Sequence, residues 1–449
     1  MIDLIAKIYS DDKTTLKLGD IEEELEITSG IKQGCTASTT LFKLVTYMIM
    51  NKLEEKGIPY EVDNIKLSSI FFADDSIAIA KSMEDAIKNL EIITEISKVF
   101  GLHLNKDKSK VMIFNNDEGI EDVAGIKVVH NIKYLGLIVN DGQDIFRDQK
   151  EEMTNRASRF SNLTYSVIAK SYNKMRMGKT FWKGVVLSSV LYGAGLMNTT
   201  TKELNSLQVV ENGVYRKILG ARRFTALEAL RGDIGSSLME TRFIKSRFML
   251  VKSIHESNNC LIKEVLRNIR KDRYDPWNCT LNMYLRWVKI TYDELINMNR
   301  SIVDKKVKEY DGELWRKKMA TKSSLDMYSR YKKIIKEETV YDNRNSSPLL
   351  FQARTKSLNL NIEKRHKNGD TTCSLCKQET EDAFHFIFSC VSLDKKRDTT
   401  LLNECKGDNK VDRLGVLLFE VKDMERVKRL LHNLWQFRHR LLKSLKDSR

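Results

Sequence analysis

The sequence predicts an α+β fold: a small sheet-bearing region, then a mainly α-helical remainder, with a small zinc-binding segment near the C-terminus. Three observations predict it. Short apolar runs of strand length concentrate before residue 140. After residue 145 apolar positions recur at helical spacing, and the whole chain has only three prolines, Pro59, Pro276 and Pro348. Cys373, Cys376, His385 and Cys390 then fall within 18 residues, a pattern that suits a metal better than a disulfide framework.

At 449 residues and 41% hydrophobic content, the chain has material for several cores. Lys+Arg number 76 against 61 Asp+Glu, a net charge of +15 that favours polyanionic partners such as nucleic acid. No run approaches the roughly 18 consecutive apolar residues of a membrane helix. The first residues, Met1-Ile2-Asp3-Leu4-Ile5-Ala6-Lys7, lack a signal-peptide pattern. The expectation is an intracellular protein, nuclear or cytoplasmic, with no membrane partner. Seven cysteines, an odd number unevenly placed, fit a compartment in which thiols stay reduced.

Over 65–80 two apolar runs flank Asp74-Asp75, which reads as a β-hairpin with acidic residues at its bend. Ser82 with Asp85 three residues on begins a helix through Ala86, Leu90, Ile93 and Phe100, and Gly101 stops it. Strand-like runs over 110–114 and 132–139 complete a sheet with a helix on one face. Composition shifts put boundaries near 142, 236 and 346.

Adjacent carboxylates on a tight turn repel each other, and a divalent cation such as Mg²⁺ relieves that repulsion. In two-metal phosphoryl transfer, one ion activates a 3′-hydroxyl and the other stabilises the leaving pyrophosphate. Taken alone, the pair reads equally as a surface turn, as Asp11-Asp12 does. Its neighbours add to it. Gly30-Ile31-Lys32-Gln33-Gly34-Cys35, with Ser38, Leu41 and Phe42, lies ahead. Gly101-Leu102-His103-Leu104-Asn105-Lys106-Asp107-Lys108-Ser109 and then Tyr134-Leu135-Gly136 follow. Small residues at Gly30 and Gly34 allow close backbone approach to a base pair, and Gln33 offers both a donor and an acceptor. Lys108 could reach a phosphate, although Lys106, Lys108 and Lys110 also fit a solvated strand face. His103 reads as a packed or surface histidine and Cys35 as a small packing residue.

Together with Phe72-Ala73-Asp74-Asp75, these boxes resemble, in order and spacing, those of reverse transcriptases of the non-LTR (LINE-type) retrotransposon family. The resemblance implies a partial palm whose reaction is RNA-templated DNA synthesis. Asp74 and Asp75 would be catalytic Mg²⁺ ligands. Gly30, Gln33, Gly34 and Lys108 would bind substrate, and Tyr134, Leu135 and Gly136 would form the primer grip. The partners implied are an RNA template and a DNA primer or target. The sequence departs from the family in two places. No aspartate box precedes Gly30, Asp3 being a poor substitute, so the expectation is an N-terminally truncated chain with an incomplete Mg²⁺ site. Thr36 and Thr39 stand where the family usually has proline.

Beyond 145, amphipathic segments run through Trp182, Val185, Val186, Ser189 and Tyr192, then Leu204, Leu207, Val210 and Val214, then 226–235. They resemble the family's thumb; Arg222 and Arg223 beside them could touch phosphates of template and primer, although they also fit solvated surface arginines. Residues 236–345 form a charge-rich helical linker with no chemistry assigned. The array C-x2-C-x8-H-x4-C supplies three thiolates and an imidazole, a closed, structural Zn²⁺ site, with Cys405 as runner-up ligand. It resembles the zinc segment of LINE-type enzymes. A last helix carries Val427, Leu430, Leu431, Leu434, Phe437, Leu441 and Leu445 on one side, which favours docking on the domain over a membrane.

The division expected is 1–141 partial palm, 142–235 helical thumb, 236–345 helical linker, 346–395 zinc-binding segment and 396–449 basic helical tail. The function expected is RNA-directed DNA polymerase, with this chain alone inactive. One alternative is a non-catalytic nucleic-acid-binding remnant of such an element. Another is a group II intron maturase-like protein, against which the zinc array argues.

Overall fold

The structure, a computed structural model, describes residues 3, 5–7, 13–26, 30–31, 35–116, 119–341, 346–364 and 369–447. Leu4, Asp11, Asp12, Gln33 and Gly34, named above, lie outside them. The chain divides into two compact units, Met1–Ile132 and Lys133–Arg449. The expected thumb, linker, zinc segment and basic tail all lie within the second. No helix among the described residues is long and apolar enough to cross a membrane.

Among the described residues the first unit holds hairpins and the helices Ser38–Lys56 and Met83–Val99, which pack together. The Ser82 hydroxyl accepts from Asp85 N at 3.1 Å and starts the second helix. Gly101, at φ +68°, ends it in a left-handed turn that glycine adopts without steric cost. Asn89, 0% exposed, fastens this helix to the segment after the first one. Its amide donates to Ile58 O and its carbonyl accepts from Ile58 N, each at 2.9 Å. Asn89→Ala removes both bonds and leaves two backbone groups unpaired, at an expected cost of about 2–3 kcal/mol. Faster hydrogen exchange along Met83–Val99 checks it; unchanged protection would count against it.

The single sheet expected from sequence is not assembled. Among the described residues every sheet is a two-stranded pair: Lys13–Leu18 with Ile21–Glu26, Tyr60–Val62 with Ile65–Leu67, Ser69–Phe72 with Asp75–Ala78, Asp122–Val123 with Ile126–Lys127, and Asn131–Tyr134 with Leu137–Asn140. The run 110–114 forms no strand. Val111 makes one parallel bridge to Val128, a turn closes on Ser109 before it, and Asn115 takes φ +60° after it. With both ends turned away, the run has no length over which to build a ladder.

The second unit is helical. Thr200 and Glu203 form a reciprocal capping box for Thr201–Leu219, and Gly220 at φ +60° ends that helix. Its main core runs from Met153 to Leu434 through Trp182, Tyr215, Phe243, Trp315, Phe351, Phe386 and Leu431. A second cluster, including Ile244, Phe248, Leu281, Leu295 and Val303, fills the region 244–307. Several charged groups buried between helices are paired, which offsets their desolvation. Arg231 meets Asp311 at 2.7 Å, and Asp233 accepts from Tyr328 at 2.6 Å and from Tyr341. Burial pushes the Asp233 carboxyl up, and Arg354 and Lys332 counter it. The final helix, Met424–Asp447, docks on this core through Val427, Leu430, Leu431 and Leu434.

Candidate catalytic hairpin and metal centre

In the first unit the acidic hairpin pairs Ser69 with Ala78, Ile70 with Ile77, Phe71 with Ser76 and Phe72 with Asp75. Ala73 and Asp74 are therefore the two turn residues. Ala73 takes φ +52°, a position at which glycine is usual in a two-residue hairpin turn. Strain of this kind costs roughly 1–2 kcal/mol and clusters at functional sites. Both carboxylates are exposed at the tip. The flanking runs do not bury the hairpin: Ile70 is 43% and Phe72 63% exposed. Apolar runs on both sides of an acidic bend suggest a covered base, but among the described residues no third strand pairs with this hairpin to cover it.

The lysine box is a turn shaped by Asn105 and Ser109, to which the sequence alone gave no role. Asn105 Oδ1 accepts from Lys108 N at 3.1 Å, and Asn105 O accepts from both Ser109 N and Ser109 Oγ. This asparagine-headed turn mimics a backbone turn and exposes Lys106, Lys108 and Lys110. Lys106 Nζ bonds Ala124 O at 2.7 Å and Lys110 Nζ bonds Asp107 O at 3.2 Å. Lys108 has no ion pair among the described residues. Gly30 takes φ +98°, a backbone conformation that residues with a side chain rarely adopt.

In the second unit, Leu135 and Gly136 turn the hairpin at 131–140 with φ +47° and +84°. Tyr192, read from sequence only as a helix residue, supports that turn by donating to Leu135 O at 2.8 Å. A Cβ at Gly136 would stand 3.3 Å from the Tyr192 ring.

The candidate metal centre lies near the C-terminus. Cys373, Cys376, His385 and Cys390 each direct one ligand atom into a common space, all within 4.8 Å of one another. The Cys373 and Cys390 sulfurs are 3.8 Å apart, and Cys376 Sγ is 3.3 Å from His385 Nε2. Zn–S bonds of about 2.3 Å at tetrahedral angles put two sulfurs about 3.8 Å apart, so the pair fits zinc. Residues five apart in a regular helix diverge by about 140°. A wider turn at His385–Ser389, closed by Cys390 N donating to His385 O, brings His385 and Cys390 to one side. On the other limb, Lys377 N donates to Cys373 O and Cys373 N to Glu379 O, which folds the first two cysteines into a tight loop.

The groups behind the ligands were not legible in the spacing. His385 Nδ1 lies 3.2 Å from Glu379 and 3.3 Å from Ser389 Oγ. A proton held on Nδ1 by Glu379 leaves Nε2 free to ligate. The bond from Cys390 favours the thiolate at Cys373, burial opposes it, and the N–H groups of Cys376 and Leu375 add to it. The same bond pushes Cys390 up. Cys405, buried, bonds Leu401 O at 3.3 Å and stays outside the cluster.

All the boxes from 30 to 136 fall inside one stretch of known kind. Residues 3–139 match the model of the family described as Reverse transcriptase (RNA-dependent DNA polymerase), a match that supports a reverse-transcriptase domain there, with that family's nucleic-acid partners and its general use of Mg²⁺.

Proposed function

We propose that the chain carries the nucleotidyl-transfer hairpin of a reverse transcriptase of the non-LTR (LINE-type) kind and binds an RNA template with a DNA primer or target. Asp74 and Asp75 are Mg²⁺ ligands in this reading. Gly30, Gln33 and Gly34 line the nucleotide pocket, Lys108 meets a phosphate, and Tyr134, Leu135 and Gly136 hold the primer end. Cys373, Cys376, His385 and Cys390 bind one structural Zn²⁺. The observation that carries the reading is the strained acidic turn at Ala73-Asp74 within the matched stretch. The converging three-cysteine, one-histidine array favours the non-LTR kind over a maturase.

Bound Mg²⁺ would activate the 3′-hydroxyl and stabilise the leaving pyrophosphate. Two carboxylates alone do not position two ions. Among the described residues, no third acid, histidine or cysteine joins Asp74 and Asp75 in a metal-sized cluster. This favours, as a second reading, a protein that binds nucleic acid without polymerising. The chain is expected to bind a primer–template duplex and to show no appreciable Mg²⁺-dependent extension of it. Extension that disappears in Asp74→Ala would mean that another carboxylate completes the site, and would remove the non-catalytic reading. Failure to bind the duplex would count against both.

A further inference from the structure

In the second unit a half-open cleft of about 470 Å³ lies beside the helix Cys260–Lys271. Lys263, Arg267, Arg270 and Lys271 on that helix line it, with His255 and Tyr292 opposite and no carboxylate in the lining. The floor is prearranged. The Arg270 guanidinium stacks 4.2 Å from the Tyr292 ring centroid and donates to Asn278 Oδ1 at 2.5 Å and Asn282 Oδ1 at 2.6 Å. The Tyr292 hydroxyl lies 2.7 Å from His255 Nε2.

The positive charge here is poorly answered. Arg267 meets Glu264 at 2.7 Å, but Lys263, Arg270 and Lys271 have no ion pair among the described residues. Lys271 reaches only an amide oxygen, Asn268 Oδ1, at 3.4 Å. His255 reports the local field: burial first, then Lys263, Arg267 and Lys252, hold its imidazole below the usual range. A face needed only for solubility mixes both signs. Four cations around one concavity, with a guanidinium already held in place, form a receptor for an anion.

We infer that this cleft binds two successive backbone phosphates of a nucleic-acid strand, with Lys263, Arg267 and Lys271 as its donors and the Arg270–Tyr292–His255 stack as its floor. The inference rests on the nucleic-acid reading above for the choice of strand over other anions. It gives the region between the thumb and the zinc centre a role in tracking template or target.

The test is a salt titration of binding to a single-stranded RNA oligonucleotide by the full chain, by Lys263→Gln/Lys271→Gln, and by a control of equal charge, Lys305→Gln/Lys317→Gln. The lysines of both variants are polar, surface-reaching side chains, and equal melting temperatures confirm folding. With two phosphates no longer neutralised, the cleft variant is expected to bind about tenfold more weakly near physiological salt. Its salt slope should fall by about 1.4, while the control keeps the slope of the parent chain.

An unchanged slope in the cleft variant, or equal weakening in both variants, would overturn the site while the nucleic-acid reading stands. No RNA binding by the parent chain would overturn both. Two further arms identify other ligands. Inorganic phosphate raising the melting temperature of the parent but not the variant, with RNA binding unaffected, would replace the strand by a free phosphate. Cleft-dependent binding of polyglutamate with no effect on RNA would replace it by an acidic protein.

Discussion

Chelating the metal from the purified chain is expected to unfold the segment 346–395 and to release the final helix from it. Cys373, His385 and Cys390 are 2%, 4% and 1% exposed, so removing the ion leaves thiols and an imidazole buried without their common partner. Apparent binding free energies at structural zinc sites run to about 10–16 kcal/mol, and in such sites that energy is largely folding energy. Between Thr371 and Thr380 the loop is otherwise held by one bridge between Thr372 and Thr380, a few backbone bonds and the Asn361 amide, with Glu381 anchoring its far end. Metal analysis should find one zinc per chain. Hydrogen exchange after chelation should show weakened protection across the segment and unchanged protection along Met83–Val99 in the first unit. Full zinc content in a Cys373→Ser/Cys390→Ser variant, or a segment equally protected with and without chelator, would sink the idea. Glu379→Gln gives a graded version. It should weaken zinc affinity by about 10–100-fold, since it disturbs only the group that orients His385.

The sequence made legible what is local. The acidic hairpin, the Ser82 start, the glycine stop at Gly101 and the cysteine–histidine spacing each depend on residues within a turn or two of one another. The ligand set also converges as the spacing implied, because two short loops suffice to bring it together. What the sequence hid depends on distant pairs. Asp233 meets Tyr328 and Tyr341 from 95 and 108 positions away, and Arg231 meets Asp311 from 80. A charged residue that is buried and paired carries no periodic signal to separate it from a solvated one. The sheet misled for a related reason. Apolar runs over 110–114 and 69–72 announce strand propensity, but ladders need partners of matching register, and only the second run finds one, in its own hairpin. The cationic cleft escaped notice because Lys263, Arg267, Arg270 and Lys271 read as the outer face of an amphipathic helix until Tyr292 and His255 are placed against them.

Arg438→Met is expected to destabilise the C-terminal region by about 3–5 kcal/mol, the usual cost of stranding one member of a buried ion pair. The final helix belongs to what the sequence reads as a basic tail, but three of its seven Lys and Arg are held by partners elsewhere in the fold. Arg438 forms a two-pronged pair with Glu381 at 2.8 and 2.9 Å, with side chains 5% and 2% exposed. Lys428 donates to Val340 O at 3.0 Å, and Arg426 grips Asp398 at 2.6 and 2.7 Å. Glu381 also accepts from Asn361 N at 3.0 Å, and it sits between the two ligand pairs of the metal centre. One carboxylate therefore joins the cysteine–histidine loop, the segment at Asn361 before it and the last helix. Trp435, edge-on to Phe386 at 5.8 Å, sits on the same contact and reports its state. In Arg438→Met the Trp435 emission should shift toward that of exposed indole at lower denaturant than in the parent. Adding Glu381→Leu should recover most of the stability, because two apolar side chains replace the pair without leaving a charge behind. A single variant within about 1 kcal/mol of the parent would instead place the pair in solvent. The basic helix would then be the free arm that its composition suggests, and nucleic-acid binding by the isolated C-terminal region would become the expected behaviour.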